Sequence, residues 1–344
     1  MRLSDLTRDR LRRFRAMRRA WWSLWILAAT FALSLASELI SNDRPLFVAH
    51  SGHVDFPVFA FHPGSRFGLP YDTPADYHAL ARDSAFRAGG GVLVFPLVKW
   101  GPYRADLDRE GNPPHPPSRE HWLGTDASGR DVFSRLLYGY RLSMAFALLI
   151  SALAAAIGIL AGGLQGWLGG KVDMLGQRFV EIWSALPFLY VVILLGALYG
   201  RGFALLAIVV SLFSWIGLSY YMRGEFYRLR DLNYVKSARA LGIPPSRIFL
   251  RHVLPNALTP VVTVLPFLLV SGISAFTSLD FLGFGLQPPS PSWGELLRQG
   301  LENLQAPWLA ITSTAALFTT LMLATFVGEG LREAFDPKSN ARVE

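Results

Sequence analysis

Cysteine is absent from the 344 residues, so no disulfide can staple any part of the chain and thiol redox chemistry is excluded. Charge is scarce as well. Asp, Glu, Lys and Arg make up 17% of the residues against 51% hydrophobic ones, and the mean hydropathy is +0.31, a balance that fits neither a disordered chain nor a soluble one. A phosphate loop is missing. Its nearest approach, Gly169-Gly170-Lys171-Val172, has Gln165 where the first glycine belongs and valine in place of Ser or Thr, so nucleotide hydrolysis is not expected from this chain. His50, His53 and His62 with Asp55 have no HExxH-like spacing and read as scattered surface residues, and no Gly-x-Ser-x-Gly elbow presents a nucleophile. No catalytic, cofactor-binding or metal site emerges.

What the chain has is long apolar runs. A bilayer core of about 30 Å takes roughly 20 apolar helical residues, and six such runs occur, at Trp21 to Ile40, Leu142 to Leu168, Ile182 to Tyr199, Phe203 to Met222, Leu254 to Leu279 and Trp308 to Val327. An all-α integral membrane protein with six transmembrane helices is expected. The first run, preceded by arginines, exceeds a signal peptide's apolar core and reads as a retained anchor.

Flanking charge orients these spans. Arg2, Arg8, Arg10, Arg12, Arg13, Arg15, Arg18 and Arg19 face only Asp5 and Asp9 ahead of the first run, which places residues 1–20 in the cytoplasm. Six crossings return the tail, residues 329–344, to that side and leave residues 41–140 outside. The loop between the fourth and fifth runs then also lies in the cytoplasm, and it is basic: Arg223, Arg228, Arg230, Lys236, Arg239, Arg247 and Arg251 against Glu225 and Asp231. The net charge of +8 and pI near 9.9 follow from juxtamembrane arginines facing anionic membrane lipid, with no nucleic acid needed.

Ionisable residues inside a bilayer cost about 2.5 to 3.5 kcal/mol each on insertion scales and mark ion pathways. Glu38, Glu181, Asp280 and Glu329 all fall at span ends, so the chain is not expected to power transport itself. Ala154, Gly158, Gly162, Gly166 and Gly170 recur every fourth residue, a small-residue stripe suited to close helix packing. Pro187 and Pro266 mark places where a span can kink, as a fixed bend or as a gating hinge.

The loop around residues 233–256 has a grammar of its own. Asn233 is positioned to cap a short helix, Tyr234, Ala238 and Leu241 form its stripe, Gly242 suits a left-handed stop, and Pro244-Pro245 can open a second helix toward Val253. An ordinary basic loop is the alternative from these residues alone. The stretch resembles the EAA signature of importer-type ABC permeases: aligned on Gly242, the pattern falls on Lys236-Ser237-Ala238, Gly242, His252 and Leu254-Pro255. Ala238, Gly242, Leu254 and Pro255 match, whereas Lys236 replaces the acid, Ser237 an alanine and His252 an isoleucine.

Leu123-Gly-Thr-Asp-Ala-Ser-Gly-Arg-Asp-Val-Phe-Ser-Arg135, Phe281-Leu-Gly-Phe-Gly-Leu-Gln-Pro-Pro-Ser-Pro-Ser-Trp-Gly294 and Gly328-Glu-Gly-Leu-Arg-Glu-Ala-Phe-Asp-Pro-Lys338 are similar to the C-type dipeptide and oligopeptide permeases of that family. Ser41-Asn-Asp-Arg-Pro-Leu-Phe-Val48 and Phe95-Pro-Leu-Val-Lys-Trp-Gly-Pro-Tyr103 resemble the microcin C and oligopeptide uptake subgroup (Yej-type). Structural roles remain open: Asp126 as a helix cap, Gln287 to Trp293 as a turn with an interfacial tryptophan, and the outer segment as a small β-containing cap or as ordered loops.

The resemblance implies a type I ABC importer permease in the bacterial inner membrane. Its transmembrane helix 1 is residues 21–40, its periplasmic segment 41–140, and its permease domain 141–328 with a coupling loop over 223–255. Implied partners are a second permease, cytoplasmic ATP-binding subunits that hold ATP and Mg, a periplasmic peptide-binding protein and a peptide substrate. Lys236, Ser237, Ala238, Arg239, Ala240, Leu241, Gly242, Arg247, Leu254 and Pro255 become the ATPase-coupling interface. An ion-gradient-driven carrier or channel, and a membrane-anchored enzyme with its chemistry in residues 41–140, are the other readings.

Overall fold

A computed structural model describes residues 5–336; Arg2 and the Pro337-Lys338 end of the last motif lie outside them. The chain runs α1 (Asp5–Ala16), α2 (Arg18–Leu35), α3 (Ser37–Ile40), β1 (Phe47–His50), β2 (His53–Asp55), α4 (Tyr77–Arg82), α5 (Ser84–Ala88), β3 (Val92–Val94), α6 (Val132–Leu168), α7 (Gly170–Ser184), α8 (Phe188–Tyr199), α9 (Phe203–Arg230), α10 (Asn233–Ala240), α11 (Pro245–Ile248), α12 (Leu254–Phe281), α13 (Trp293–Glu302) and α14 (Pro307–Phe335).

Among the described residues four helical stretches are long and apolar enough to cross a membrane: Val132–Leu168, Phe203–Arg230, Pro245–Phe281 and Pro307–Phe335. A fifth crossing arises if α7 and α8, bent by 70° at their break, count as one span. Six is not confirmed, because the expected first span divides into α2, which starts with two arginines and ends at Leu35, and the four-residue α3. Pro187 causes the α7–α8 break: it stands at the N-cap of α8 with an extended backbone, where its missing N–H and ring clash stop a helix. Pro260 and Pro266, by contrast, lie within α12.

Contacts divide the chain into two compact units. The first holds residues 5–29, 143–287 and 318–336 of those described. Its small-residue stripe packs α6 on α9. Ala154 is fully buried and clusters with Val180 and Trp215, a Cβ on Gly158 would lie 3.0 Å from Leu218 Cβ, and side chains at Gly162 and Gly166 would run into the backbone of Ser219 and Arg223. Gly170 departs from the stripe: it meets open space at φ +53°, after Gly169 at φ +64°, so the pair builds the α6–α7 turn that an L-residue would strain. Elsewhere in the unit Phe14, Ala20 and Leu27 pack against Ala324, Val327 and Ala334, which joins α1 and α2 to α14.

The second unit, residues 30–142 and 288–317, holds a small β-containing cap, the first of the two readings left open for the outer segment of this mostly helical chain. A three-stranded antiparallel sheet of order β2-β1-β3 pairs Val48 with Asp55 and Phe47 with Val94, and fully buried Val48 seats it on Phe67, Tyr77, Leu80 and Phe86. Asp126 does not cap α6. It is fully buried in ion pairs with Arg130 (2.8 Å) and Arg135 (3.2 Å), and the cap is Asp131, which accepts from Ser134 N at 2.7 Å. Arg130 and Arg135 both also reach Glu295. Burying such charge is costly unless each group is answered, so this cluster specifies one arrangement of residues 126–135 and α13.

Trp293 is buried at 2% exposure rather than interfacial, donating to Leu136 O at 2.9 Å and stacking on Tyr140. His121, fully buried, bridges Asp131 (2.8 Å) and Asp106 (3.2 Å). Burial opposes its charge, but hydrogen bonds to both carboxylates outweigh burial and raise its pKa above the ordinary 6.5.

Candidate functional site

Only Asp231 and Leu232 separate the end of α9 from α10. The N-cap position is Leu232, with extended backbone and no side-chain cap, so Asn233 does not cap the helix as expected. Nor do Tyr234, Ala238 and Leu241 share one environment. Val235 (0% exposed) and Ala238 (9%) face inward, whereas Tyr234 is 40% and Leu241 80% exposed. The inward pair joins Met222, Phe226, Leu229, Ile248, Val253 and Ala257 in one apolar cluster, with Phe249 stacked on Phe226 at 5.3 Å. α10 is thus fastened to the end of α9 and the beginning of α12.

The turn after α10 is set by backbone hydrogen bonds. Gly242 N donates to Arg239 O (3.0 Å) and Ile243 N to Ala238 O (3.2 Å), the paired bonds of a Schellman stop. Gly242 sits at φ +74°, and a Cβ there would meet no atom within 4 Å, so glycine is required by the left-handed backbone and not by crowding. Pro245 then opens α11 in the first-turn position suited to proline, and a π-helical turn, Phe249–Val253, carries the chain into α12.

Of the ten residues expected to form the interface, Lys236, Ser237, Arg239, Ala240, Leu241, Gly242, Arg247 and Pro255 are exposed, Leu254 is half-buried and Ala238 is buried, with Leu241 and Gly242 at the tip. Ala238, 9% exposed, packs beneath the helix in the cluster shared with α9 and α12. No Asp or Glu occurs from Leu232 to Leu279, so the segment's own charge is all basic, and Leu250 is exposed at 59%. Arg239 lies over the Trp167 ring at 5.0 Å. Beside α10, a cavity of about 700 Å³ is lined in part by Arg10, Arg13, Arg228 and Arg332 and by Asp9, Glu225 and Asp336, a mixed lining in which Arg228 pairs with Glu225 at 2.5 Å.

A second group nearby was not singled out in the sequence. Asp173, in the first turn of α7, accepts hydrogen bonds from Arg223 Nε, from Arg223 Nη2 at 2.6 Å and from Tyr227 Oη at 2.5 Å. Arg230 lies over Tyr227 at 4.2 Å and donates to Gly166 O at 3.0 Å. The spacing of Arg223, Tyr227 and Arg230, at i, i+4 and i+7, was the available signal that one face of α9 carries all three.

An apolar helical body with helices long enough to cross a membrane and an exposed, basic helix–turn–helix beside them defines an integral membrane protein. Residues 133–340 match the family model described as binding-protein-dependent transport system inner membrane component, and the chain belongs to that family. It is 47% identical over 336 residues to the inner membrane ABC transporter permease protein YejE of Escherichia coli strain K12, covering 98% of each chain. It is 39% identical to the peptidoglycan transport system permease protein YejE of Agrobacterium fabrum, over 98% of this chain and 95% of that one. Identity to the oligopeptide transport system permease protein OppC of Haemophilus influenzae is 41% over 63% of this chain and 70% of that one. It is a multi-pass inner membrane protein.

Proposed function

We propose that this chain is one of two unlike permease subunits of an ATP-driven importer for peptides, of the oligopeptide or microcin C-like class, with both termini in the cytoplasm. The relatives named for oligopeptide and peptidoglycan transport support the substrate class. ATP and Mg are bound by a cytoplasmic partner, peptide is delivered by a periplasmic binding protein, and residues 41–140 face the periplasm. Lys236 to Gly242, Arg247, Leu254 and Pro255 form the coupling segment, with Ala238 beneath it.

One observation carries this reading. The α10–α11 turn thrusts Leu241 into solvent at 80% exposure while Val235 and Ala238 anchor the same helix in the core shared by α9 and α12. Exposing an apolar side chain on a rigidly founded turn suits a segment that docks in a partner's cleft and passes force inward. Closure of the ATP-hydrolysing subunits would displace α10 and, through that core, α9 and α12 as a rigid body.

Co-purification in detergent tests the docking. Leu241→Asp is a cleaner probe than Gly242→Asp, whose side chain would strain the left-handed backbone. The wild type is expected to retain the ATP-hydrolysing subunit and Leu241→Asp to lose it with membrane insertion unchanged. Full retention by Leu241→Asp would contradict the docking role.

A further inference from the structure

We propose that Asp173, Arg223 and Tyr227 form a latch through which movement of α10 reaches the bent α7–α8 pair; this rests on the docking reading above. α7 is entered through two glycines at positive φ, Gly169 at its N-cap and Gly170 as its first residue, and such a turn restrains its neighbour weakly. The direction of α7 must therefore be set by side-chain contacts. At its first turn Asp173, 8% exposed, takes both guanidinium bonds of Arg223 and the Tyr227 hydroxyl. Planar, bidentate arginine–carboxylate pairing is directional and charge-assisted.

The donors stand on the last turns of α9, which ends two residues ahead of α10. At its far end α7 passes through Ala185 to Pro187 into α8 with the 70° bend, and Trp183 Nε1 donates to Leu212 O of α9 at 2.7 Å. A shift of the α9 end is thus applied to the start of α7, with the break at Pro187 as the place where the pair can flex. Asp173, Arg223 and Tyr227 are positioning residues. None of them needs to touch the transported peptide.

The test uses the assembled complex in proteoliposomes, with labelled tri-alanine as the probe, recording complex recovered, ATP hydrolysis and uptake per ATP hydrolysed. Asp173→Asn and Arg223→Lys are expected to leave recovery and hydrolysis near wild type while lowering uptake per ATP about tenfold, the scale of one lost charge-assisted hydrogen bond. Tyr227→Phe, a milder change, is expected to lower it about threefold. The exchanged pair, Asp173→Arg with Arg223→Asp, is expected to recover most of the loss, whereas a merely structural staple would show itself in the single variants as lost complex.

Wild-type uptake per ATP in both single variants overturns the latch. So does a fall in uptake that only tracks lost complex and is not recovered by the exchange. Leu241→Asp runs alongside: if it keeps the ATP-hydrolysing subunit bound and transport coupled, the docking reading fails and the latch with it. If it releases that subunit while the latch variants stay coupled, the latch alone fails.

Discussion

Truncating Leu241 separates a docking turn from a structural one. Its side chain is 80% exposed, and fully burying a leucine is worth about 1.5 to 3 kcal/mol. Seating it in a partner's cleft would therefore contribute about 2 kcal/mol, of which alanine keeps a minor part, so Leu241→Ala should weaken binding of the ATP-hydrolysing subunit by ~1.5 kcal/mol, roughly tenfold. The same change should alter the fold's own stability by less than about 0.5 kcal/mol, as is usual for exposed positions. Ala238→Leu is the mirror case. It adds volume to a 9% exposed site packed in the α9–α10–α12 core and should cost about 1 to 3 kcal/mol of stability by overpacking. The assay is titration of the purified ATP-hydrolysing subunit onto the chain in nanodiscs, with thermal unfolding of the same samples. Equal affinities for wild type and Leu241→Ala, or a large loss of stability in that variant, would refute the reasoning.

Gly162→Ala puts a methyl against the backbone of Ser219 and should lower stability by about 1 to 3 kcal/mol, seen as a lower unfolding temperature in detergent. Phe226→Ala removes a fully buried ring stacked on Phe249 and should cost about 3 to 5 kcal/mol, with limited proteolysis then cutting within residues 223–255. His121 has its folded pKa raised above 6.5, so its contribution is complete below that value and is lost as pH rises through the folded pKa. His78, whose pKa is lowered chiefly by burial and also by Arg104, works in the opposite direction. The difference in unfolding temperature between wild type and His121→Asn should therefore shrink from pH 5 to pH 9, and a difference that grows over that interval would contradict the assignment.

The parts of this fold written in local chemistry were readable from the residues. Apolar length announced the long helices, glycine spacing announced a close helix contact along α6, and Gly242 before two prolines announced the turn, because each depends on backbone freedom or a repeating period. The first expected span was not so readable: hydropathy counts apolar residues but does not see the break between α2 and α3. Which face of α10 is buried depends on the cluster from α9 and α12, so the stripe of Tyr234, Ala238 and Leu241 did not reveal that Val235 and Ala238 face inward while Tyr234 and Leu241 face out. Asp126 reads locally as a cap, and only its pairing with Arg130 and Arg135 shows otherwise. The pairing of Asp173 with Arg223 spans 50 residues and left no mark in any local window.

Cross-linking from position 241 tests the central claim most directly. The chain has no cysteine, so Leu241→Cys introduces a single reactive site, to be coupled to a photoactivatable probe in the assembled complex and compared with the same probe at Leu160 of α6, 62% exposed. The account predicts a cross-link from residue 241 to the ATP-hydrolysing subunit and none from residue 160. An intact complex in which residue 241 cross-links to no such subunit would contradict it.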